Sequence, residues 1–94
     1  MVGGYRTVDD KTLLARQQND QNLMKVEKAA RDAYRAKNNG ELGNLIKVSE
    51  QVVAGINYKM VFQTENGDYE VVVFNQPWTQ TIQVTEMKPI VEDK

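Results

Sequence analysis

The apolar positions between residues 20 and 37 follow the period of a helix. They recur three or four residues apart and end in an adjacent pair: Leu23, Val26, Ala30, Ala33 and Tyr34. Charged residues fill the opposite face, which is typical of an amphipathic helix packed on a core. Asn19 or Asp20 is a good N-cap, and the segment Asn38-Asn39-Gly40 suits the left-handed end of a helix. The pattern therefore predicts one long helix over about residues 20–37.

The residues before this helix have no clear period. Residues 1–8 begin with a glycine pair and end in strand-favouring residues, so they predict a flexible tip followed by a short strand. Residues 9–18 contain a leucine pair but no sustained apolar repeat. We expect this segment to form a connector, with room for one helical turn.

After Gly43 the apolar period falls from about 3.6 to about 2, which predicts strands. Four segments alternate in this way: 46–52, 56–63, 69–75 and 80–87. The Asn66-Gly67 pair predicts a tight hairpin, and Pro77 interrupts the pattern because proline donates no ladder hydrogen bond. Strands joined by short turns become antiparallel neighbours. The order predicts an α+β fold, with one long helix packed on a curved antiparallel sheet of four to five strands, and residues 1–94 as a single domain.

The composition narrows the classes of function. The 94 residues include 12 basic and 13 acidic side chains, with a net charge of −1 and no basic run longer than two, so we expect no nucleic-acid partner. No apolar stretch approaches the roughly 20 residues that span a bilayer, so we expect no membrane partner. The chain has no cysteine and no histidine. The commonest general base and transition-metal ligands are therefore absent, and we expect no enzyme activity, catalytic residue, cofactor or metal site.

One predicted turn, at residues 53–55, is apolar although turns are normally polar. Val53 and Ala54 would stand at its tip, either by chance or as a contact surface. Trp78 lies in another predicted turn, where it either folds back over the sheet edge or projects outward. Alternate hairpins of a meander lie at the same end of a sheet, so these residues are predicted to be neighbours. A paired N-terminal strand would bring the N-terminal glycine pair there as well, and the three tips would form a wedge that fits a cleft.

Three motifs of the sequence, in order, resemble those of the cystatins, which are inhibitors of papain-like cysteine proteases. Gly3-Gly4 resembles the N-terminal glycine site of the family, QVVAG at residues 51–55 matches its Q-x-V-x-G loop, and Pro77-Trp78 matches its second hairpin motif. The ending MKPI, residues 87–90, resembles that of plant cystatins. The lack of cysteine is similar to the stefins, which usually lack Pro-Trp. Plant cystatins carry an LARFAV-like helix motif, which EKAARDAY at residues 27–34 matches poorly, so both subgroups stay open.

The resemblance implies a reversible, non-covalent inhibitor that blocks the cleft of a papain-like, cathepsin-type cysteine protease. The protease-binding residues that it implies are Gly3, Gly4, Gln51, Val52, Val53, Ala54, Gly55, Pro77 and Trp78. In this scheme the glycine pair lets the backbone approach the cleft wall, and the Gln51 amide holds the shape of its loop. Val53 and Ala54 lie beside the active-site cysteine of the protease, and Trp78 is an aromatic anchor.

Several alternatives accompany this interpretation. A non-inhibitory binding module, or an engineered binding scaffold, could use the same fold. A second activity against legumain would fall on Asn38 or Asn39, although a helix C-cap explains these residues better. We expect a monomer, with a domain-swapped dimer as a second form because the apolar turn is a short hinge. The start lacks the apolar region of a signal peptide, so we expect a cytoplasmic protein, or a secreted one if Met1 replaces a removed signal peptide.

Overall fold

The computed structural model describes residues 3–91, so Met1 and Val2 of the predicted N-terminal tip lie outside the described residues. Two helices follow one another in this range, α1 (Asp10–Asn19) and α2 (Gln21–Asn38). The strands are β1 (Arg6–Thr7), β2 (Leu45–Val53), β3 (Gly55–Thr64), β4 (Gly67–Gln76) and β5 (Thr81–Pro89). A 3₁₀ turn, Pro77–Thr79, joins the last two strands.

Helix α1 replaces the connector predicted at residues 9–18, so that prediction is wrong. The Asp9 carboxylate caps the helix by accepting hydrogen bonds from the Thr12 N–H at 2.9 Å and from the Thr12 hydroxyl at 3.0 Å. Leu13 is buried in the core, and Arg16 donates a hydrogen bond to Glu50 in β2. These tertiary contacts hold a helix whose own apolar pattern is weak, which is why the pattern did not indicate it.

Helix α2 confirms the long helix that the periodic pattern predicts. Asp20 is its N-cap, and the Asp20 carboxylate accepts a hydrogen bond from the Leu23 N–H at 3.1 Å. Asn39 follows its last turn with a left-handed φ of 54°. The face toward the sheet is fully buried at Leu23, Val26 and Ala30. Within the described residues, neither helix is long and apolar enough to cross a membrane.

The strands form one antiparallel sheet in chain order, β1-β2-β3-β4-β5, which confirms the predicted meander and the α+β fold. The first two hairpins of the meander have tight turns, because Val53 pairs with Gly55 and Thr64 pairs with Gly67. Helix α2 packs on one face of this sheet, and the fully buried side chains of the two layers form the core. They are Leu23, Val26, Ala30, Val48, Tyr58, Met60, Phe62, Val71 and Val73.

The topology sorts the turns between the two ends of the sheet. The turns after β2 and after β4 lie at one end, and the β3–β4 hairpin lies at the other. Strand β1 is antiparallel to β2, with Arg6 opposite Glu50, so the residues before Arg6 run toward the β2–β3 turn. The N-terminal glycine pair therefore reaches the same end of the sheet as the two apolar hairpins, as the sequence predicts.

Candidate functional site

The turn between β2 and β3 leaves no room for a side chain at its last position. Val53 pairs with Gly55, so Ala54 forms the tip. Gly55 is buried and has a φ of 122°, a conformation that side chains rarely tolerate. A Cβ at this position would also lie 2.7 Å from Asn75 O and 2.8 Å from Phe74 Cε1. Glycine is therefore required here, where β3 begins in close contact with β4.

Apolar side chains at the two hairpin tips face solvent. Val52 is 70% exposed, Ala54 is exposed, and Val53 is half-buried. In the second hairpin, the 3₁₀ turn presents Trp78, which is 68% exposed. The Trp78 side chain therefore projects outward, and the alternative in which it folds back over the sheet edge is wrong.

The side-chain amide of Gln51 joins the first hairpin to the N-terminal glycine segment. Gln51 Nε2 donates a hydrogen bond to Gly3 O at 2.8 Å. Asn57, which is opposite Gln51 in the β2–β3 register, donates from Nδ2 to Gln51 Oε1 at 3.0 Å. The bond from Asn57 orients the Gln51 amide so that its NH₂ group faces Gly3. The N-terminal segment is therefore held beside the first hairpin by a side chain of that hairpin.

A second amide, that of Gln76, joins the two hairpins to each other. Gln76 is the last residue of β4, immediately before Pro77. Gln76 Nε2 donates to Ala54 O at 2.8 Å, and the Thr79 hydroxyl donates to Gln76 Oε1 at 2.7 Å. The three segments that the sequence predicts to form a wedge are thus linked side by side by hydrogen bonds.

Tyr5, which directly follows the glycine pair, joins the N-terminal segment to the sheet through a contact with Lys59 in β3. Lys59 Nζ lies 4.1 Å from the centroid of the Tyr5 ring, within the range of a cation–π contact. Partial burial raises the pKa of the Tyr5 hydroxyl, and the charges of Glu70 and Glu86 raise it further. The hydroxyl is therefore neutral at physiological pH, and Lys59 contacts the ring of a neutral phenol.

The glycine pair itself has open space around it. A Cβ added to Gly3 or Gly4 would meet no atom within 4 Å, and both residues are exposed. Packing among the described residues therefore does not require glycine at either position, in contrast to Gly55.

Sequence analysis identified Gln51 but missed Asn57, Gln76 and Tyr5. A usable signal exists for Asn57, because it follows Ala54 by the same number of residues as Gln51 precedes it. A turn centred on Ala54 places these two side chains opposite each other. The contacts of Gln76 and Tyr5 join residues that are distant in the sequence, and no local pattern indicates them.

The two asparagines at the end of α2 have structural partners. The Asn39 N–H donates to Arg35 O at 3.1 Å, and Asn38 Nδ2 donates to Tyr34 O at 3.3 Å. Both contacts belong to the end of the helix, in agreement with the C-cap interpretation of these residues.

The chemistry of the site is apolar rather than ionic. The contact residues that the sequence predicts carry no charged side chain. Between residues 3 and 91, no group of three or more His, Cys, Asp or Glu side chains is placed to hold a metal ion. The site offers apolar surface, backbone hydrogen-bonding groups and one exposed indole to a partner.

Comparison with known proteins identifies the family. A family model for the cystatin domain matches residues 14–92, which is most of the chain. The chain belongs to the cystatin family. This match confirms the predicted family, and its range includes both hairpins of the site, whereas Gly3-Gly4 precedes it.

Two curated plant proteins are similar to this cystatin domain. Cystatin-1 of Zea mays is 33% identical over 81 residues, which cover 80% of this chain and 60% of the maize protein. Cysteine proteinase inhibitor 1 of Oryza sativa subsp. japonica is 32% identical over 79 residues, which cover 78% of this chain and 56% of the rice protein. The matched region therefore spans less than two thirds of the length of either relative.

Proposed function

We propose that the chain inhibits papain-like, cathepsin-type cysteine proteases by placing the wedge (Gly3-Gly4, Gln51–Gly55 and Pro77-Trp78) in the active-site cleft. Membership of the cystatin family supports the proposal, and so does a relative that is named as a cysteine proteinase inhibitor. The observation that carries it is the row of exposed apolar and glycine residues at one end of the sheet, linked by the amides of Gln51 and Gln76.

The first hairpin supplies the centre of the wedge. Val53 and Ala54 cover the active-site cysteine of the protease, and neither side chain can react with it. Gly55 keeps the tip narrow, because its backbone lies against Asn75 and Phe74 with no room for a Cβ. The cleft is occupied without a covalent bond, so inhibition is reversible and the inhibitor is released intact.

The two flanking tips supply the walls of the contact. Trp78 is an exposed aromatic side chain, and burial of such an anchor contributes strongly to an interface. The glycine pair lies along the opposite wall, where the lack of a Cβ lets the backbone approach closely. The open space around Gly3 and Gly4 supports this role, because nothing in the described chain explains glycine at these positions.

Order in the free inhibitor favours tight binding. In the free protein the tips are short turns or are hydrogen-bonded to neighbouring strands, and hydrogen bonds also link the tips to one another. Less conformational entropy is then lost on association. The chain takes no chemical part in the reaction of its partner, and we propose no enzyme activity for a chain that lacks cysteine and histidine.

Steady-state kinetics with purified proteases test the proposal. The chain should inhibit papain and a cathepsin competitively, should leave trypsin and a zinc metalloprotease active, and should be recovered uncleaved. Glu65→Ala, in the hairpin at the opposite end of the sheet, is the matched control and should inhibit as the unmodified chain does. Inhibition of trypsin with papain unaffected would overturn the proposal. A folded chain that leaves papain fully active would favour a non-inhibitory binding module instead.

A further inference from the structure

The residue before the second hairpin motif contacts the tip of the first hairpin. We propose that Gln76 is a positioning residue for the wedge: its side-chain amide fixes the tip at Ala54 relative to the second hairpin and does not itself touch the protease. This inference rests on the proposed function, and it assigns a role to a residue outside the three motifs.

The carbonyl of Ala54 lacks the support that its neighbours have. Strand β2 ends at Val53 and β3 begins at Gly55, so Ala54 lies outside both strands. The hydrogen bond from Gln76 Nε2 to Ala54 O, at 2.8 Å, supplies a partner from the adjacent hairpin. It fixes the plane of the peptide between Ala54 and Gly55. The direction in which Ala54 projects from the tip is then restricted as well.

Thr79 gives the Gln76 amide its direction. An amide has nearly the same shape when its oxygen and nitrogen are exchanged, and Gln76 donates to Ala54 only if Oε1 faces away. The Thr79 hydroxyl lies 2.7 Å from Gln76 Oε1 and 3.1 Å from the Gln76 backbone oxygen, and it donates over the shorter distance to Oε1. Thr81 Oγ1 lies 2.8 Å from Thr79 Oγ1 and can donate to it in turn. With this donor order, the Gln76 NH₂ group faces the first hairpin.

Loss of the Gln76 hydrogen bond should weaken binding because the tip at Ala54 becomes less ordered, and not because a contact with the protease is removed. Without the bond from Gln76, the peptide after Ala54 can adopt other orientations, and only the fraction with the bound orientation is competent to bind. A single hydrogen bond of ordinary net strength corresponds to a change of about two- to tenfold.

Replacement of Gln76 by a side chain of similar length tests the role. Gln76→Met removes the donor and the acceptor and should raise the inhibition constant for papain about two- to tenfold. Gln83→Met makes the same chemical change at an exposed position of β5 and should leave the inhibition constant unchanged. An inhibition constant for Gln76→Met equal to that of the unmodified inhibitor would overturn the inference.

A double-mutant cycle tests whether Thr79 acts through Gln76. Thr79→Val should weaken inhibition in the unmodified chain and should have a clearly smaller effect in the Gln76→Met background, where the amide that it orients is gone and only its 3.1 Å contact with the Gln76 backbone oxygen remains. Fully additive losses from the two substitutions would contradict the orienting role of Thr79.

A measurement without protease separates this inference from the proposed function. In the free protein, Gln76→Met should lower the backbone ¹⁵N order parameters of Ala54 and Gly55, while the urea midpoint for global unfolding changes little. If the unmodified chain does not inhibit papain, the proposed function fails, and the order parameters still decide whether Gln76 holds the tip. Unchanged order parameters at Ala54 and Gly55 would overturn the inference.

Discussion

Gly55 and Gly67 have almost the same backbone conformation in different surroundings. Their φ angles are 122° and 119°, yet a Cβ at Gly67 would meet no atom within 4 Å. Gly55→Ala should therefore lower the free energy of unfolding more than Gly67→Ala does, by roughly the 1–3 kcal/mol typical of overpacking. Urea denaturation of the two variants measures the difference. Equal losses would contradict the crowding that Asn75 and Phe74 impose on position 55.

Substitution of Trp78 should affect papain binding without affecting the stability of the fold. Because its side chain is 68% exposed, Trp78→Ala should change the free energy of unfolding by less than about 0.5 kcal/mol. Papain binding should weaken by roughly 1–3 kcal/mol, mainly through faster dissociation, as expected for the loss of an aromatic anchor. Stopped-flow dissociation and urea unfolding provide the two measurements.

Val91→Ala is the control for this substitution. Val91 is an exposed apolar residue that, together with Asn66 and Gly67, lines a surface pocket beside the β3–β4 hairpin, at the end of the sheet opposite the wedge. Its replacement should change neither dissociation nor unfolding. An unchanged affinity in Trp78→Ala would place the second hairpin outside the interface.

At the scale of elements, Asp20 is the junction between the two helices. Burial raises the pKa of its carboxyl, but the hydrogen bond from Leu23 N–H and the ion pair with Arg16 at 2.8 Å outweigh this, so the net pKa is lowered from the ordinary 3.8. A lowered folded-state pKa means that the charged carboxylate stabilises the fold above the unfolded pKa. That contribution is lost as the pH falls through the folded pKa.

Asp20→Asn keeps the N-cap and removes the charge, because asparagine caps helices about as well as aspartate does. At pH 7 it should lower the free energy of unfolding by roughly 0.5–1 kcal/mol, the range for a partly solvated ion pair. The difference should shrink as the pH falls below the ordinary pKa of aspartate, 3.8, and should vanish below the lowered pKa of the folded state. Asp20→Ala should lower the free energy of unfolding by about 1 kcal/mol more than Asp20→Asn does at every pH, because alanine also removes the N-cap. If urea titrations show a pH-independent difference between the unmodified protein and the Asp20→Asn variant, the role of the charge is contradicted.

The elements differ in how far the sequence determines them locally. The α2 helix and the four long strands repeat an apolar period over many residues, so their type and approximate bounds were predictable. Helix α1 was not, because Leu13 gives it one buried side chain and the Arg16–Glu50 contact joins it to a distant strand. Strand β1, with two residues, forms through its pairing with Glu50 and Ser49 in β2 rather than through its own pattern.

At the scale of the molecule, the paired charges of α2 lie apart from the apolar tips of the wedge. The charged side chains on the outer face of α2 pair with one another, with Lys28 2.7 Å from Asp32 and Arg31 3.0 Å from Glu27.

The end of the sheet that forms the wedge was predictable, because each tip consists of a few consecutive residues. Its internal links were not, because the bond from Gln76 joins residues 22 positions apart and that from Gln51 joins residues 48 apart. Such contacts depend on strand register and turn geometry, which local pattern does not contain.

The same end of the molecule contains the turn that we expect to act as the hinge of a domain swap. The turn from Val53 to Gly55 is so short that straightening it would merge β2 and β3 into one long strand. The segment from β1 through β2 would then pack against β3–β5 of a second chain and recover the same core contacts. The straightened segment would no longer present Ala54 at a tip, and its hydrogen bond from Gln76 in the monomer geometry would be lost.

We therefore expect mild heating at high protein concentration to produce a dimer that does not inhibit papain. Gel filtration after heating, followed by a papain assay on each peak, measures both properties. Insertion of two glycines after Ala54 should lower the dimer yield, because a longer turn relieves the hinge. The same insertion after Asn66, in the hairpin at the other end of the sheet, should leave the yield unchanged. A dimer that inhibits papain as well as the monomer does would show that the β2–β3 turn stays closed in the dimer, and that the hinge lies elsewhere.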